Sequence, residues 1–176
     1  MKVKSVCHAG LTVSDFEAAV RWYHGKFGFL LVSEEVLEPE ATRKLFPLYR
    51  VEGARVRLGF LRAPGGSVLE IFEFSPKARG GAPVWNAPGF THVALNVTGL
   101  QVWYESLKAE GVEFVTPPAR TGDVDWVFLR DPDGNLVELI DLKVARPALR
   151  FVGGLLGAAL KRGKFAGYYA GAEARA

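Results

Sequence analysis

The chain has 176 residues, 49% of them apolar and 23% charged, which allows one ordinary domain or two very small ones and argues against a disordered chain. The formal net charge is +3, but residues 143–176 hold seven Lys or Arg and one Glu, which leaves 15 basic and 18 acidic residues, a net charge of −3, in residues 1–142. The sequence pI of about 9.1 therefore results from the basic residues at the end of the chain. It does not indicate a nucleic-acid-binding face on residues 1–142.

Cysteine content and hydropathy bear on the compartment. The single cysteine, Cys7, makes an intrachain disulfide impossible, which fits a reducing compartment. Residues 1–6 lead directly into strand-like sequence without an apolar signal core, and no apolar run approaches the roughly 18 residues that a membrane span needs. We therefore expect a cytoplasmic protein.

The first predicted elements are a strand and a helix. The strand starts at His8, and because alternate strand residues share a face, His8 points away from the face that carries Leu11 and Val13. A capping-box pattern, Ser-x-x-Glu, begins at Ser14 and predicts the start of a helix. Apolar residues then recur at helical spacing until Gly28, where the helix is predicted to end.

Three further strands complete a first module over residues 3–75. The last of them places Glu70 inside the apolar run from Val68 to Phe72, directly after a Pro-x-Gly turn that is typical of a hairpin. A polar stretch with two prolines, residues 34–53, precedes these strands and is interpreted as an insertion.

The pattern returns in the second half of the chain, which indicates an internal repeat. The motif His-x-x-Leu-x-Val begins at His8 and again at His92, 84 residues later. A carboxylate in an apolar strand follows in both halves, at Glu70 and at Glu138, 68 residues later. The smaller second offset is explained by the insertion in the first module.

The remaining boundaries follow from capping, glycine and charge patterns. The second helix is predicted to start with a capping box at Thr98 and to end at Gly111. It belongs to a second module over residues 89–142, joined to the first by a linker rich in Gly and Pro at residues 76–88. A basic extension follows at residues 143–176.

Each module has the order strand, helix and three strands. One such unit alone would leave a sheet face bare, so two units are expected to pack together. The sequence predicts an α+β fold in which two paired βαβββ modules form a curved mixed sheet, a half-barrel, around a metal site, with the helices outside.

The repeated polar residues indicate that metal site. Both histidines lie on the strand face opposite the helix, and an unpaired carboxylate inside an apolar strand is costly to bury. A divalent ion removes that cost, and His8, Glu70, His92 and Glu138 together form a suitable set of ligands. A single such residue is better explained as a structural histidine or as a glutamate facing water; the repetition of the pair in both modules favours the metal.

At these positions the sequence resembles the vicinal oxygen chelate superfamily, which includes glyoxalases, epimerases and extradiol dioxygenases, over residues 3–142. The segment Asp131–Glu138 is the most specific part of the resemblance, and the Trp22-Tyr23 pair also resembles the family's first helix. By position, the four ligands match the His/Glu/His/Glu set of bacterial glyoxalase I. Methylmalonyl-CoA epimerases often have Gln where this chain has Glu70, and extradiol dioxygenases use two His and one Glu around Fe(II).

The resemblance implies a lyase or isomerase that needs Ni, Co, Zn or Mn. The metal acts as a Lewis acid on a substrate that chelates it through adjacent oxygens, and it stabilises the enediolate that forms when a C–H proton leaves. Glu138 is our first choice for the catalytic base and Glu70 the second. Bacterial glyoxalase I carries an Arg that helps hold glutathione four residues after the first ligand, whereas this chain has Thr12, which weakens a glutathione assignment.

Four residues are predicted to contact a small-molecule substrate. Thr12 and Asn96 share the strand face of the histidines, and Trp126 is a candidate for lining the pocket. Arg57 is a candidate for binding an anionic group. A solvated surface charge for the arginine and packing for the tryptophan are the alternatives.

The basic extension has apolar residues at helical spacing, interrupted by three glycines at 153, 154 and 157 that weaken a helix by about 1 kcal/mol each. We expect its first half to pack on a partner subunit and do not expect it to contact a membrane. Small members of the family commonly dimerise, often with modules of different chains completing each site, so the resemblance implies a homodimer.

Three classes of function follow from these patterns. The first is a lyase or isomerase of the glyoxalase I or methylmalonyl-CoA epimerase kind. The second is an extradiol-type dioxygenase, which needs Fe(II) and open coordination positions that a fourth ligand, Glu70, would occupy. The third is a metal-free drug-binding protein, whose members typically lack a full set of ligands.

Overall fold

The first module holds one mixed sheet and one long helix. In the computed structural model, which describes residues 3–78, 80, 85–143 and 148–170, its elements are β1 (Ala9–Thr12), α1 (Phe16–Phe27), β2 (Leu30–Leu37), α2 (Pro39–Arg43), α3 (Phe46–Tyr49), β3 (Arg55–Arg62) and β4 (Val68–Ser75). The strand order is β1-β4-β3-β2, with β1 parallel to β4 and the other pairs antiparallel. The predicted insertion supplies α2 and α3, although its first residues extend β2.

The second module repeats this arrangement without the two short helices. Its elements are β5 (Val93–Asn96), α4 (Leu100–Ala109), β6 (Ala119–Thr121), β7 (Val124–Arg130) and β8 (Leu136–Asp141). The strand order β5-β8-β7-β6 matches that of the first sheet position by position. The predicted α+β architecture of two paired βαβββ modules is therefore confirmed.

The helix ends agree with the sequence pattern better than the helix starts. Gly28 and Gly111 adopt the left-handed φ values, 69° and 80°, that end α1 and α4. The cap of α1 is Asp15 rather than Ser14, and its carboxylate accepts a hydrogen bond of 2.8 Å from the Ala18 amide. The predicted cap at Thr98 is also wrong: the N-cap of α4 is Gly99, whose amide donates to the carboxylate of Asp141, a side chain of β8.

One continuous apolar core joins the two modules. It contains buried residues of both long helices and of the central strands of both sheets: Val13, Phe16, Ala19, Tyr23, Phe27, Phe29, Leu61, Leu69, Ile71, Leu100, Leu107, Val127, Leu129, Val137 and Leu139. Between the helices, the rings of Phe27 and Trp103 lie 6.1 Å apart, and Lys26 forms an ion pair of 2.6 Å with Glu110. The core residues alternate with Glu70 and Glu138 along β4 and β8, so the faces with the glutamates point away from the core.

The two sheets remain separate within one chain. Across the described residues, no strand of the first sheet pairs with a strand of the second, and each sheet is an open set of four strands. The half-barrel expected from the sequence is therefore not closed by strand pairing inside a single copy.

The end of the chain forms a further helical segment. Residues Ala148–Val152 make a π-helical turn that leads into α5 (Gly153–Arg162) and a short α6 (Ala166–Tyr169). Apolar side chains are exposed along it, including Leu149 at 64% and Leu155 at 78%. Within the described part of the chain, no helix has the length and apolar character that crossing a bilayer requires.

Candidate functional site

The first predicted pair of ligands comes together at the start of β1. Gly10 lies beside Glu70 in the parallel pairing of β1 with β4, and His8, two residues before Gly10, lies on the same face. The Nε2 atom of His8 is 2.9 Å from Oε2 of Glu70. Phe60 stands opposite Glu70 in β3, and its ring centroid is 5.5 Å from that of His8.

The second pair has the same construction in the second module. Ala94 lies beside Glu138, and His92, two residues earlier, is 3.2 Å from Oε2 of Glu138 through its Nε2 atom. Phe128 stands opposite Glu138 in β7, with its ring 5.0 Å from the imidazole. The repeat therefore preserves a unit of three side chains, histidine, glutamate and phenylalanine, and not only two ligands.

The second histidine has two further neighbours. Trp85 stacks on His92 with ring centroids 5.5 Å apart and planes at 30°, and it contacts the edge of Phe128. The hydroxyl of Thr91 lies 2.8 Å from Nδ1 of His92, which fixes the ring while leaving Nε2 directed at Glu138. Neither Trp85 nor Thr91 was singled out by the sequence, because Trp85 falls in the stretch interpreted as a linker.

The two pairs fit a divalent ion in kind but not in number. An imidazole and a carboxylate are suitable donors, and the glutamate side chains are only 16% and 14% exposed. Catalytic metal sites usually take three or four protein ligands, whereas each pair offers two. Throughout the described ranges, no group of three or more His, Cys, Asp or Glu residues lies close enough to share a metal ion. Within the described residues, one chain thus presents two separate His–Glu pairs.

Three of the predicted substrate residues share the faces of these pairs. Thr12 lies beside Phe72, the next residue on the Glu70 face, and its side chain is exposed. Asn96 and Trp126 both align with Ile140 on the Glu138 face. Asn96 donates to two backbone carbonyls, and the indole of Trp126 donates to the hydroxyl of Thr121 at 3.0 Å.

The fourth predicted substrate residue, Arg57, lies on the face of its sheet opposite to Glu70. Its guanidinium binds the carboxylates of Glu34 at 2.7 Å and Glu17 at 3.3 Å, and stands 4.3 Å from the ring centroid of Phe16. The hydrogen bond to Glu34 raises the pKa of this already basic group. Because Phe16 belongs to the helix side of the sheet, Arg57 joins α1 to the sheet edge, on the side away from the two His–Glu pairs.

A cavity of about 730 Å³ lies further along the sheet face that carries the first pair, at the ends of β1 and β4, and neither His8 nor Glu70 lines it. Thr12 and Phe74, on the Glu70 face of the sheet, line one part of the cavity. Leu48, Tyr49 and Val51 of the inserted segment line another part. Tyr49 meets Phe74 edge to face at 5.2 Å. Burial, followed by the carboxylates of Glu70 and Glu35, raises the pKa of the Tyr49 hydroxyl.

Comparison with known proteins agrees with this architecture. A family model described as Glyoxalase/Bleomycin resistance protein/Dioxygenase superfamily matches residues 5–139. The uncharacterized protein YwkD of Bacillus subtilis is 30% identical over 145 residues, which is 80% of this chain and 99% of that protein. A probable lactoylglutathione lyase of Vibrio cholerae is 25% identical over 82% of this chain and 95% of its own length.

A solved structure supports the fold. The crystal structure of a glyoxalase family protein from Bacillus cereus superposes with a TM-score of 0.67 and covers 80% of this chain and 95% of its own. Its sequence is 19% identical, so the likeness concerns the arrangement of the two modules alone.

Proposed function

Because the chain belongs to the Glyoxalase/Bleomycin resistance protein/Dioxygenase superfamily, we propose that it is a divalent-metal-dependent lyase or isomerase of the glyoxalase I type. Its substrate presents two adjacent oxygens and loses a proton from the carbon beside them. The observation that carries this proposal is the exact repetition of the His–Glu contact, 2.9 Å in one module and 3.2 Å in the other, on sheet faces outside the core. The lactoylglutathione lyase relative supports the reaction class.

The metal-binding residues in this proposal are His8, Glu70, His92 and Glu138, contributed by two copies of the chain. Each copy holds its two pairs apart, and each pair lies on a sheet face that the core of the same copy does not cover. A two-fold dimer in which the first module of one copy faces the second module of the other brings four ligands to each of two sites. The proposed assembly is therefore a homodimer with one site per chain.

The bound Ni, Co, Zn or Mn would supply Lewis acidity to the adjacent oxygens of the substrate. The chain's own residues supply the rest of the chemistry. Glu138 is the proposed base: one of its carboxylate oxygens takes the proton from the substrate carbon and returns it to the neighbouring carbon. Glu70 is the second candidate. Trp126, Phe128 and Trp85 surround the Glu138 pair with aromatic surface that excludes water from the reacting carbon.

The substrate contacts proposed to accompany this chemistry are Thr12, Asn96 and Trp126. All three share a sheet face with a His–Glu pair. The single cysteine supports the proposal that the enzyme acts in the cytoplasm.

Metal content and turnover test the function. Protein purified without added metal is measured by inductively coupled plasma mass spectrometry, and isomerisation of a 2-oxoaldehyde–thiol adduct is followed by thioester absorbance. Wild type is expected to hold one Ni, Co, Zn or Mn per chain and to turn over, and Glu138→Gln to lose at least 100-fold in kcat, by the usual order of magnitude for removing a general base. Glu113→Gln, an exposed carboxylate of the same module, is the control. Iron with oxygen consumption would instead indicate a dioxygenase, and tight binding of an aromatic compound without metal would indicate a binding protein.

Mixing two variants tests where the ligands come from. One variant carries His8→Ala and Glu70→Gln, and the other carries His92→Ala and Glu138→Gln. In a mixed dimer, the intact first pair of one copy meets the intact second pair of the other, so random re-association restores about a quarter of the wild-type metal sites. If each site were built within one chain, no mixture would regain metal.

A further inference from the structure

The two modules differ most in the connection between their second and third strands. In the second module, β6 ends at Thr121 and β7 begins at Val124, which is a tight hairpin. In the first module, β2 ends at Leu37 and β3 begins at Arg55, and α2 and α3 lie between them. The repeat is therefore asymmetric, and the segment present only in the first module lines one side of the 730 Å³ cavity.

The inserted segment is fixed to the sheet. Thr42 of α2 is only 2% exposed, and its hydroxyl donates to the backbone carbonyl of Ala54, the residue that leads into β3. The ring of Tyr49, at the end of α3, packs against Phe74 of β4. Because both ends are anchored, the wall that Leu48, Tyr49 and Val51 give to the cavity is part of the folded structure.

One face of β4 runs from the first His–Glu pair toward the cavity. Glu70, Phe72 and Phe74 lie on one face of β4 at alternate positions, and the rings of Phe72 and Phe74 stack with centroids 6.3 Å apart. Phe74 lies four positions after Glu70 in β4, which is a distance of about 13 Å at the usual rise per residue. A molecule that touches both Glu70 and the cavity must therefore be elongated.

The charged groups around the cavity are already paired. Lys77 lies 3.3 Å from the carboxylate of Glu73, and Arg130 lies 3.3 Å from that of Glu113. The carboxylate of Asp133 accepts a hydrogen bond from the Ser14 amide at 3.0 Å. The remaining wall combines apolar side chains with the uncharged polar residues Thr12, Ser14 and Asn135, so the cavity favours an uncharged, mainly hydrophobic group over a charged one.

From these observations we infer that the cavity binds an apolar or aromatic chain of the substrate, while the two adjacent oxygens of the same molecule lie at the metal ligands. The inference rests on the proposed function and specifies its substrate class: an elongated molecule with a chelating head and a hydrophobic body about 10 Å or more in length, by the strand spacing that separates the two ends. The inserted segment, present in one module only, is the element that selects for that body.

A series of alkyl hydroxamic acids tests this inference, because their two adjacent oxygens chelate divalent metals while the chain length varies. Dissociation constants of acetohydroxamate, hexanohydroxamate and decanohydroxamate are measured by isothermal titration calorimetry against the Ni²⁺-loaded and the metal-free protein. Burial of each methylene tightens binding by up to about fourfold, so decanohydroxamate, whose chain is long enough to reach the cavity, is expected to bind the Ni²⁺-loaded protein about 100-fold or more tighter than acetohydroxamate.

Two variants test whether the gain in affinity with chain length arises in the cavity. Leu48→Glu puts a charge on the wall and Val51→Trp fills the space, and each is expected to remove at least tenfold of the gain with chain length while leaving the acetohydroxamate affinity unchanged. Val102→Glu, at an exposed apolar position of α4 outside the cavity, is the matched control and keeps the full gain.

The outcomes separate this inference from the proposed function. Acetohydroxamate binding that is equal with and without Ni²⁺ overturns the proposed function, and the inference with it. Acetohydroxamate binding that needs Ni²⁺, but with no gain from chain length or with the same gain in Leu48→Glu and Val51→Trp, overturns the inference alone.

Discussion

The hydroxyl of Tyr23 in α1 donates a hydrogen bond of 3.2 Å to the carboxylate of Asp131, which follows β7 in the other module. Tyr23 is fully buried and Asp131 is 5% exposed. The same carboxylate also accepts hydrogen bonds from the backbone amides of Asp133 and Asn135. It therefore stabilises the β7–β8 turn and at the same time binds the Tyr23 hydroxyl of α1. Burial and the adjacent carboxylate raise the pKa of Tyr23, which keeps the hydroxyl protonated as a donor at neutral pH.

Removal of this hydroxyl should weaken the junction between the modules. Tyr23→Phe is expected to lower the free energy of unfolding by about 2 kcal/mol, because the lost hydrogen bond goes to a charged acceptor in a buried place. Urea denaturation followed by circular dichroism measures the change. Tyr104→Phe, whose hydroxyl has one long contact of 3.4 Å to Lys108, is the control and should stay within about 0.5 kcal/mol of wild type. Equal stabilities for the two variants would contradict a structural role for the Tyr23–Asp131 contact.

The repeat made the paired modules and the His–Glu contacts predictable. The parity of His8 before Gly10 and of Glu70 within its strand suffices to place both on one face, since alternation in a strand is regular. The separation of the two pairs within one chain was not predictable in this way. It depends on how the modules pack, and that is decided by long-range contacts such as Phe27 with Trp103.

The sequence alone does not show on which face of β3 Arg57 lies, and this has a specific cause. Apolar residues occupy both faces of β3, with Phe60 on the same face as Glu70 and Leu61 in the core. Hydrophobic alternation therefore does not reveal which face of β3 covers the core. The pairing of Phe60 with Glu70 fixes the register, and it places odd-numbered residues of β3 on the helix side. A contact of the Arg57 type, with a helix carboxylate 40 positions earlier in the chain, leaves no local signal.

Gly59 is expected to be intolerant of any side chain. A Cβ atom at this position would lie 2.7 Å from the Ser33 carbonyl oxygen and 2.8 Å from the Phe16 ring, both closer than packing allows. Gly59→Ala should therefore push α1 and β2 away from β3 and lower the free energy of unfolding by about 1–3 kcal/mol in urea. Gly65→Ala is the control, because a Cβ there meets nothing within 4 Å and the backbone is not left-handed. Similar stability for Gly59→Ala and Gly65→Ala would contradict the close packing at β3.

Acid should selectively remove the contribution of Asp125. Hydrogen bonds from Arg120 and then from Lys143 lower the pKa of this carboxyl to about 2. Because the folded-state pKa lies below the unfolded value of about 4, the contribution is complete above pH 4 and is lost as the pH falls toward 2. The difference in the free energy of unfolding between wild type and Asp125→Asn should shrink over that range.

The control for this dependence on pH is Asp123→Asn, in the same hairpin. Its difference from wild type should not follow the same curve, because Asp125 is the residue that bridges both cations. Urea titrations at several pH values between 2 and 7 provide the comparison. A constant difference for Asp125→Asn across the whole range would contradict the assigned ion pairs.

Metal should stabilise the folded protein, and in the proposed dimer it should do so cooperatively with association. At a free Ni²⁺ concentration of about 100 times Kd, the chelator-treated protein is expected to gain about 2.7 kcal/mol per site, measured as a rise in Tm. Glu138→Gln should lose most of this gain, since it removes one of two donors from a His–Glu pair, and Glu113→Gln should retain it. Because each proposed site joins two copies, the gain in Tm should also increase with protein concentration. A gain that is independent of concentration, with Glu138→Gln equal to wild type, would mean that Ni²⁺ binds elsewhere and that the two His–Glu pairs are structural contacts of their sheets.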